Sequence, residues 1–281
     1  MREALLNTPV SQTRDDSVTG PSVGRMRNAV MGAFIAGAIA FLGGCSSDSD
    51  QPYEERPVEQ IYNKAMDYMA DGNYQRAAQE FDEVERQHPY SIWARRATLM
   101  SAYAHYKVNE YDDAILTAQR YISLHPGSKE VAYAYYLVAL SYYEQISDVG
   151  RDQKMTEDAL ASLTTLIQRF PRSEYARDAR LKLDLTLDHL AGKEMEIGRF
   201  YERSGKWISA QLRFQNVVEN YQTTSHAPEA LYRLTETSLS LGLKEEAVKY
   251  AAVLGANYPG TEWYEKAYEL VGDNAAGVTA S

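Results

Sequence analysis

The stretch DGNYQRAAQEF at residues 71–81 returns with its spacing intact as VNEYDDAILTA at 108–118, RSGKWISAQLRF at 203–214 and SLGLKEEAVKYA at 240–251. In each, a turn is followed at a fixed distance by an alanine: Ala77, Ala114, Ala210 and Ala247. Proline stands twelve residues beyond three of these alanines, at Pro89, Pro126 and Pro259. MTEDALASLTTLIQRFP, at 155–171, supplies a further unit with Ala159 and Pro171 at the same separation. Each position has a mechanical reason. Small residues at Ala65, Ala102, Ala139 and Gly198 let a second helix approach the first closely, against its own alanine. Gly72, Gly205 and Gly242 suit the left-handed backbone that ends a helix. The proline cannot continue the second helix and sends the chain into the next unit.

A helix pair recurring at this period is the signature of the tetratricopeptide repeat. The chain is therefore predicted to be all-α: a tetratricopeptide-repeat solenoid of about five helical hairpins. They fall at roughly 58–91, 95–128, 130–173, 191–224 and 228–261. An ordinary helical bundle would not reproduce the Gly, Ala and Pro offsets together. The third unit carries an insertion, SDVGRDQK, between its helices, and residues 174–190 either add a helix or lengthen the next one. The fourth unit ends YQTT, without proline, which leaves its junction with the fifth free to bend differently. Residues 58–173 are read as an N-terminal half of three repeats. Residues 174–272 form a C-terminal half with extra and capping helices, and 273–281 are read as a disordered tail.

Upstream of the repeats the pattern changes. Arg25 and Arg27 precede an uncharged run, AVMGAFIAGAIAFL at 29–42, too short to span a bilayer comfortably but matched to the apolar region of a signal peptide. The sequence LGGC at 42–45 resembles the bacterial lipobox, in which a peptidase cleaves before the cysteine and lipid is attached to its thiol. Cys45 is the one cysteine of the chain, so no disulfide framework or thiolate zinc site is available. Residues 1–44 are accordingly read as a signal peptide, with 1–25 a candidate upstream extension and Met26 an alternative start. Residues 45–57 are read as a lipidated N-terminus and tether. The expected modification is an S-diacylglycerol and an N-palmitoyl group on Cys45, with no other cofactor. Ser46 follows, where an Asp would signal inner-membrane retention in enteric bacteria, so outer-membrane residence facing the periplasm is expected.

Lys and Arg number 29 against 39 Asp and Glu, a net charge of −10, which argues against nucleic-acid binding. No catalytic constellation emerges. The five histidines are dispersed, and there is no Gly-rich phosphate loop or nucleophile elbow. What remains is surface. Solenoids of this kind work through the face lined by the first helix of each pair. On that face the N-terminal half places Tyr62, Met66, Leu99, Tyr103, Tyr106, Tyr133, Tyr136 and Tyr143, an aromatic and Met-rich groove suited to extended peptides. The C-terminal half is more charged, with Arg199, Glu202, Glu229 and Glu236. The same tyrosines could instead pack between adjacent hairpins, and the sequence leaves both readings open.

The run at 88–153, from HPYSIWARRATLMSAYAHY to YYEQISDVGRDQ, resembles the BamD family of outer-membrane protein assembly lipoproteins, as do LGGC and FPRSEYARDARLKL at 170–183. The resemblance covers nearly all of 45–263. It implies a non-enzymatic component of the β-barrel assembly machinery that joins a BamA-type insertase through its POTRA domains and receives unfolded outer-membrane β-barrel proteins. Other lipoproteins of the complex are compatible partners, and the membrane is reached through the lipid anchor. The family's arginine implicated in pairing with a POTRA carboxylate falls on Arg213. The alternative is a repeat-containing envelope lipoprotein serving as adaptor for a periplasmic protease or for peptidoglycan synthesis.

Overall fold

The computed structural model describes residues 55–279, with side chains for 55–272. These residues form eleven helices and no strand: α1 (Val58–Ala70), α2 (Tyr74–Gln87), α3 (Ile92–Lys107), α4 (Tyr111–Leu124), α5 (Val131–Tyr143), α6 (Lys154–Arg169), α7 (Glu174–Arg203), α8 (Trp207–Asn220), α9 (Ala227–Ser240), α10 (Lys244–Asn257) and α11 (Glu262–Thr279). Each helix packs on its successor, giving five hairpins and a final helix. In the N-terminal part each first helix also touches the next one, α1 with α3, α3 with α5 and α5 with α7. Cys45 and the signal-peptide reading lie outside the described residues. Among those described, no helix is long and apolar enough to cross a membrane.

The seam of every hairpin is built from the small residues that recur in the sequence. Ala65, Ala102 and Ala139 on first helices, and Ala77, Ala114, Ala159, Ala210 and Ala247 on second helices, are all 0% exposed. In the fourth hairpin even a methyl is too large. A Cβ on Gly198 would lie 2.4 Å from Cε1 of Phe214, itself fully buried on α8. Turns inside the hairpins adopt positive φ at Gly72, Gly205 and Gly242, and Asn109 takes the same role in the second unit at φ 63°.

The second helices all end alike. The closing residues His88, His125, Phe170 and Tyr258 have φ between −133° and −130°, each followed by proline. Tyr221 ends α8 at φ −130° and ψ 38° although Gln222 follows it, so the proline-free junction keeps the bend of the others. Here Thr224 donates its hydroxyl to the Tyr221 carbonyl at 2.7 Å, as Ser173 and Thr261 do to Phe170 and Tyr258 in turns that carry proline. A side-chain cap then starts the following helix at Ser91 and at Ser173, which accept from the amides of Ala94 and Ala176.

Two open points of the sequence are decided. Residues 174–190 lengthen the next helix into the 30-residue α7. The insertion spans the gap between α5 and α6 and folds back on α7, where a Cβ on Gly192 would meet Val149 at 3.5 Å. At the other end α11 runs to Thr279, past Gly272, where the sequence suggested a disordered tail. The pair Ala275 and Ala276 is favourable to a continuing helix.

Gly198→Ala tests the seam. Its methyl must displace the Phe214 ring or part α7 from α8, which is expected to destabilise by about 1–3 kcal/mol. Thermal melts should show Tm falling by about 2–4 °C for each kcal/mol lost. An unchanged Tm would mean the seam tolerates more volume than its geometry allows.

Candidate functional site: a tyrosine groove and a charged rim

Residues expected in the groove divide into two sets. Tyr62 is a correction. It is 6% exposed, packed edge-on to Phe81 at 5.5 Å and against Trp93 of the next hairpin at 4.8 Å, so it belongs to the core. Tyr136 has a comparable partner, stacking on Tyr175 at 5.1 Å, and Tyr232 packs on Trp263 at 5.5 Å. The three pairs share one register. A ring two residues past the helix cap (Trp93, Tyr175, Trp263) lies on a ring from the first helix of the preceding hairpin. They are joints between repeats. Leu99 is buried too, although it lines a cleft of about 620 Å³ together with Trp93, Arg96, Met100 and Tyr133.

Tyr74, Tyr103 and Tyr133 are half-buried and run in a continuous series that ends on the joint ring of Tyr175. Tyr74 meets Tyr103 at 6.4 Å, Tyr103 meets Tyr133 at 6.5 Å, and Tyr133 meets Tyr175 at 5.4 Å. Tyr106 packs in the same cluster as Tyr103 and Tyr133, Tyr143 lies under the ammonium of Lys182 at 5.5 Å, and Met66 is exposed. The hydroxyls of Tyr106, Tyr133 and Tyr136 stay protonated donors at any physiological pH. Burial, then the charge of Glu144, pushes Tyr106 up to about 12, and burial raises Tyr133 and Tyr136 further. The Tyr136 hydroxyl already donates to Asp178 at 2.6 Å, while Tyr106 reaches Glu144 only at 3.4 Å. The groove thus offers ring faces for apolar side chains and hydroxyls for an extended backbone.

Tyr74 and Tyr175 were not assigned to the groove by repeat geometry. Tyr175 was hidden because the fourth repeat was counted from residue 191. The shared turn pattern, HPYSIW at 88–93 against FPRSEY at 170–175, would have revealed it.

In the C-terminal half the equivalent face is an ion-pair network. Arg199 donates to both oxygens of Glu229 at 3.1 Å, and Arg233 reaches Glu202 at 3.3 Å, Glu229 at 3.4 Å and Glu236 at 2.9 Å. The network ties α7 to α9. Oε1 of Glu202 is buried without a hydrogen-bond partner. Burial pushes the Glu202 pKa up to about 7; Arg233 opposes this and Glu236 adds to it. On the other side of α7, Nη1 of Arg213 donates to the two oxygens of Glu194 at 3.1 and 3.3 Å, at the edge of a cleft of about 360 Å³. The Arg213 side chain is 42% exposed.

Among the described residues one group has the makings of a metal site: His105, Glu110 and Asp113, with ligand atoms within 4.8 Å of one another. Both His105 nitrogens are engaged, by Asp82 at 3.4 Å and Glu110 at 2.7 Å. The Asp82 contact, seconded by Glu110, holds its pKa above the ordinary value despite burial. The ring thus sits between two carboxylates and ties two hairpins together.

Glu202 gives a pH test. The unfolded chain releases this proton near 4.5, the folded chain near 7. Between those values the native state binds more protons, so this group's contribution to stability falls as pH rises. Glu202→Gln is expected to melt above the unsubstituted chain at pH 8 and level with it at pH 4. Parallel melting curves at both pH values would refute the assignment.

A family model described as an outer membrane lipoprotein matches residues 54–269. Three relatives carry the name outer membrane protein assembly factor BamD. That of Caulobacter vibrioides is 51% identical, covering 89% of this chain and 82% of its own. That of Rickettsia prowazekii is 46% identical, covering 82% and 92%. That of Neisseria meningitidis serogroup A is 32% identical, covering 83% and 90%. With a family match over the whole repeat region and a half-identical relative covering most of the chain, this protein belongs to the BamD family of outer membrane protein assembly factors.

Proposed function

We propose that the chain is a non-enzymatic, lipid-anchored scaffold facing the periplasm, holding an unfolded β-barrel protein in its N-terminal groove and an insertase on its C-terminal half. The observation that carries this reading is the separation of two surfaces of different chemistry on one rigid stack. The tyrosine series Tyr74, Tyr103, Tyr133 and Tyr175 is sequence-tolerant, as a receiver of many substrates must be. Arg213 presents a forked cation beside the exposed apolar residues Ile208 and Leu212 on α8, which suits docking against one folded partner with a carboxylate of its own. A POTRA domain of a BamA-type insertase fits that description. Cys45, acylated, would hold the assembly at the outer membrane.

Two experiments test the division of labour. Arg213→Glu, which sets a second carboxylate against Glu194 and the partner, is expected to weaken recovery of the insertase from solubilised membranes by about 30-fold or more, as loss of a buried charge-assisted pair does. Unchanged recovery would remove Arg213 from the interface. A photo-crosslinker at Tyr103 is expected to capture nascent barrel chains, and one at Arg213 the insertase. The reverse pattern would overturn the assignment.

A further inference from the structure

The turns that join successive hairpins follow helix ends of like backbone angles but differ in chemistry. HPYSIW at 88–93 corresponds to HPGSKE at 125–130, FPRSEY at 170–175 and YPGTEW at 258–263. Where the other three place Gly127, Arg172 and Gly260, the first places Tyr90; where they place Lys129, Glu174 and Glu262, it places Ile92. The fold evidently accepts polar or absent side chains at both positions. Yet Tyr90 is 100% exposed and Ile92 83% exposed, so neither contributes to the core. Packing does not account for an aromatic and a branched aliphatic at the two most exposed positions of one turn.

Their setting supplies the reason. The turn is rigid: Ser91 donates its amide to the His88 carbonyl at 3.0 Å and caps α3 through its hydroxyl. It is also where the chain from Cys45 joins the repeats. The His88 ring meets the Arg56 carbonyl at 2.7 Å, the Arg56 amide donates to Gln87 at 2.8 Å, and the Arg56 guanidinium pairs with Glu80 at 3.0 Å. Residue 56 is therefore pinned beside residues 87 and 88. Nine residues lie between Cys45 and Glu55, a reach of at most about 35 Å. Arg95 and Arg96, three and four residues past Ile92, lie on the same side of α3, are exposed, and form no ion pair among the described residues. An amphipathic aromatic, an aliphatic and two cations at one tip match the acyl, interfacial and phosphate levels of a phospholipid surface.

We propose that the Tyr90–Ile92 turn dips into the phospholipid leaflet that carries the Cys45 acyl chains, a second and protein-borne contact that fixes the orientation of the groove to the membrane. This rests on the anchor reading above. The tether alone sets a distance; two contacts set an angle, and Tyr103 and Tyr133 extend along the stack from this end.

The test uses the mature lipidated chain in vesicles of phosphatidylethanolamine and phosphatidylglycerol, with an environment-sensitive fluorophore on Tyr90→Cys, and on Tyr268→Cys as an exposed site on α11. The acylated Cys45 does not take the label. Position 90 is expected to shift to the blue and to be quenched by lipid-borne quenchers, and position 268 to do neither. Replacing the turn with its own sister sequence, Tyr90→Gly with Ile92→Lys, preserves a geometry the chain already uses. In an acyl-free chain with Cys45→Ser that pair is expected to weaken vesicle binding by roughly tenfold, the scale that partial burial of these two side chains sets. Co-flotation with position 90 as wet as position 268 overturns the lipid contact and leaves the anchor standing. Absence of co-flotation overturns the anchor reading and this inference with it. Shielding of position 90 that appears only with the insertase complex present overturns it in favour of a protein partner.

Discussion

The close approach of paired helices is the constraint on which the rest depends. Alanines with no exposed surface line both sides of the first three hairpins, and at Gly198 of the fourth the ring of Phe214 fills the space a side chain would take. A tight seam makes each hairpin one rigid unit with a fixed inner face. Only then does a residue at a given repeat position acquire a predictable direction, and only then can a turn sequence recur with the same geometry. The groove and the charged rim are consequences of that seam.

Neighbouring hairpins are joined both by rings and by ion pairs. Ring joints form where Tyr62 meets Trp93, Tyr136 meets Tyr175 and Tyr232 meets Trp263, and ion pairs from His105 to Asp82 and Arg120 to Glu85 join the first two hairpins. Between α7 and α9 the links are Arg199 to Glu229 and Arg233 to Glu202. Aromatic joints are indifferent to pH and salt, whereas the ionic joint contains a carboxylate whose proton is held to about 7. The contact of Arg213 with Glu194 engages a single nitrogen of the guanidinium.

The hairpins, their boundaries within a few residues, the left-handed turns and the small-residue seams were legible in the sequence because each depends on local spacing. So was the contrast between an aromatic and a charged inner face. Which tyrosine faces the groove was not. Tyr62 and Tyr103 carry the same residue on the same kind of helix, yet Trp93 from the next hairpin buries one, while the other keeps a free edge.

The sequence by itself determined an all-α repeat stack, because turn, seam and stop residues act within one hairpin, and it carried the family likeness. Tertiary structure alone decided what lay between hairpins. It merged residues 174–203 into one helix, brought Tyr175 into the series, paired Arg213 with Glu194 and seated Arg56 against His88. The physical reason is range. Helix, cap and turn are fixed by neighbours within four residues, but stacking, ion pairing and burial depend on which surface the following hairpin happens to cover.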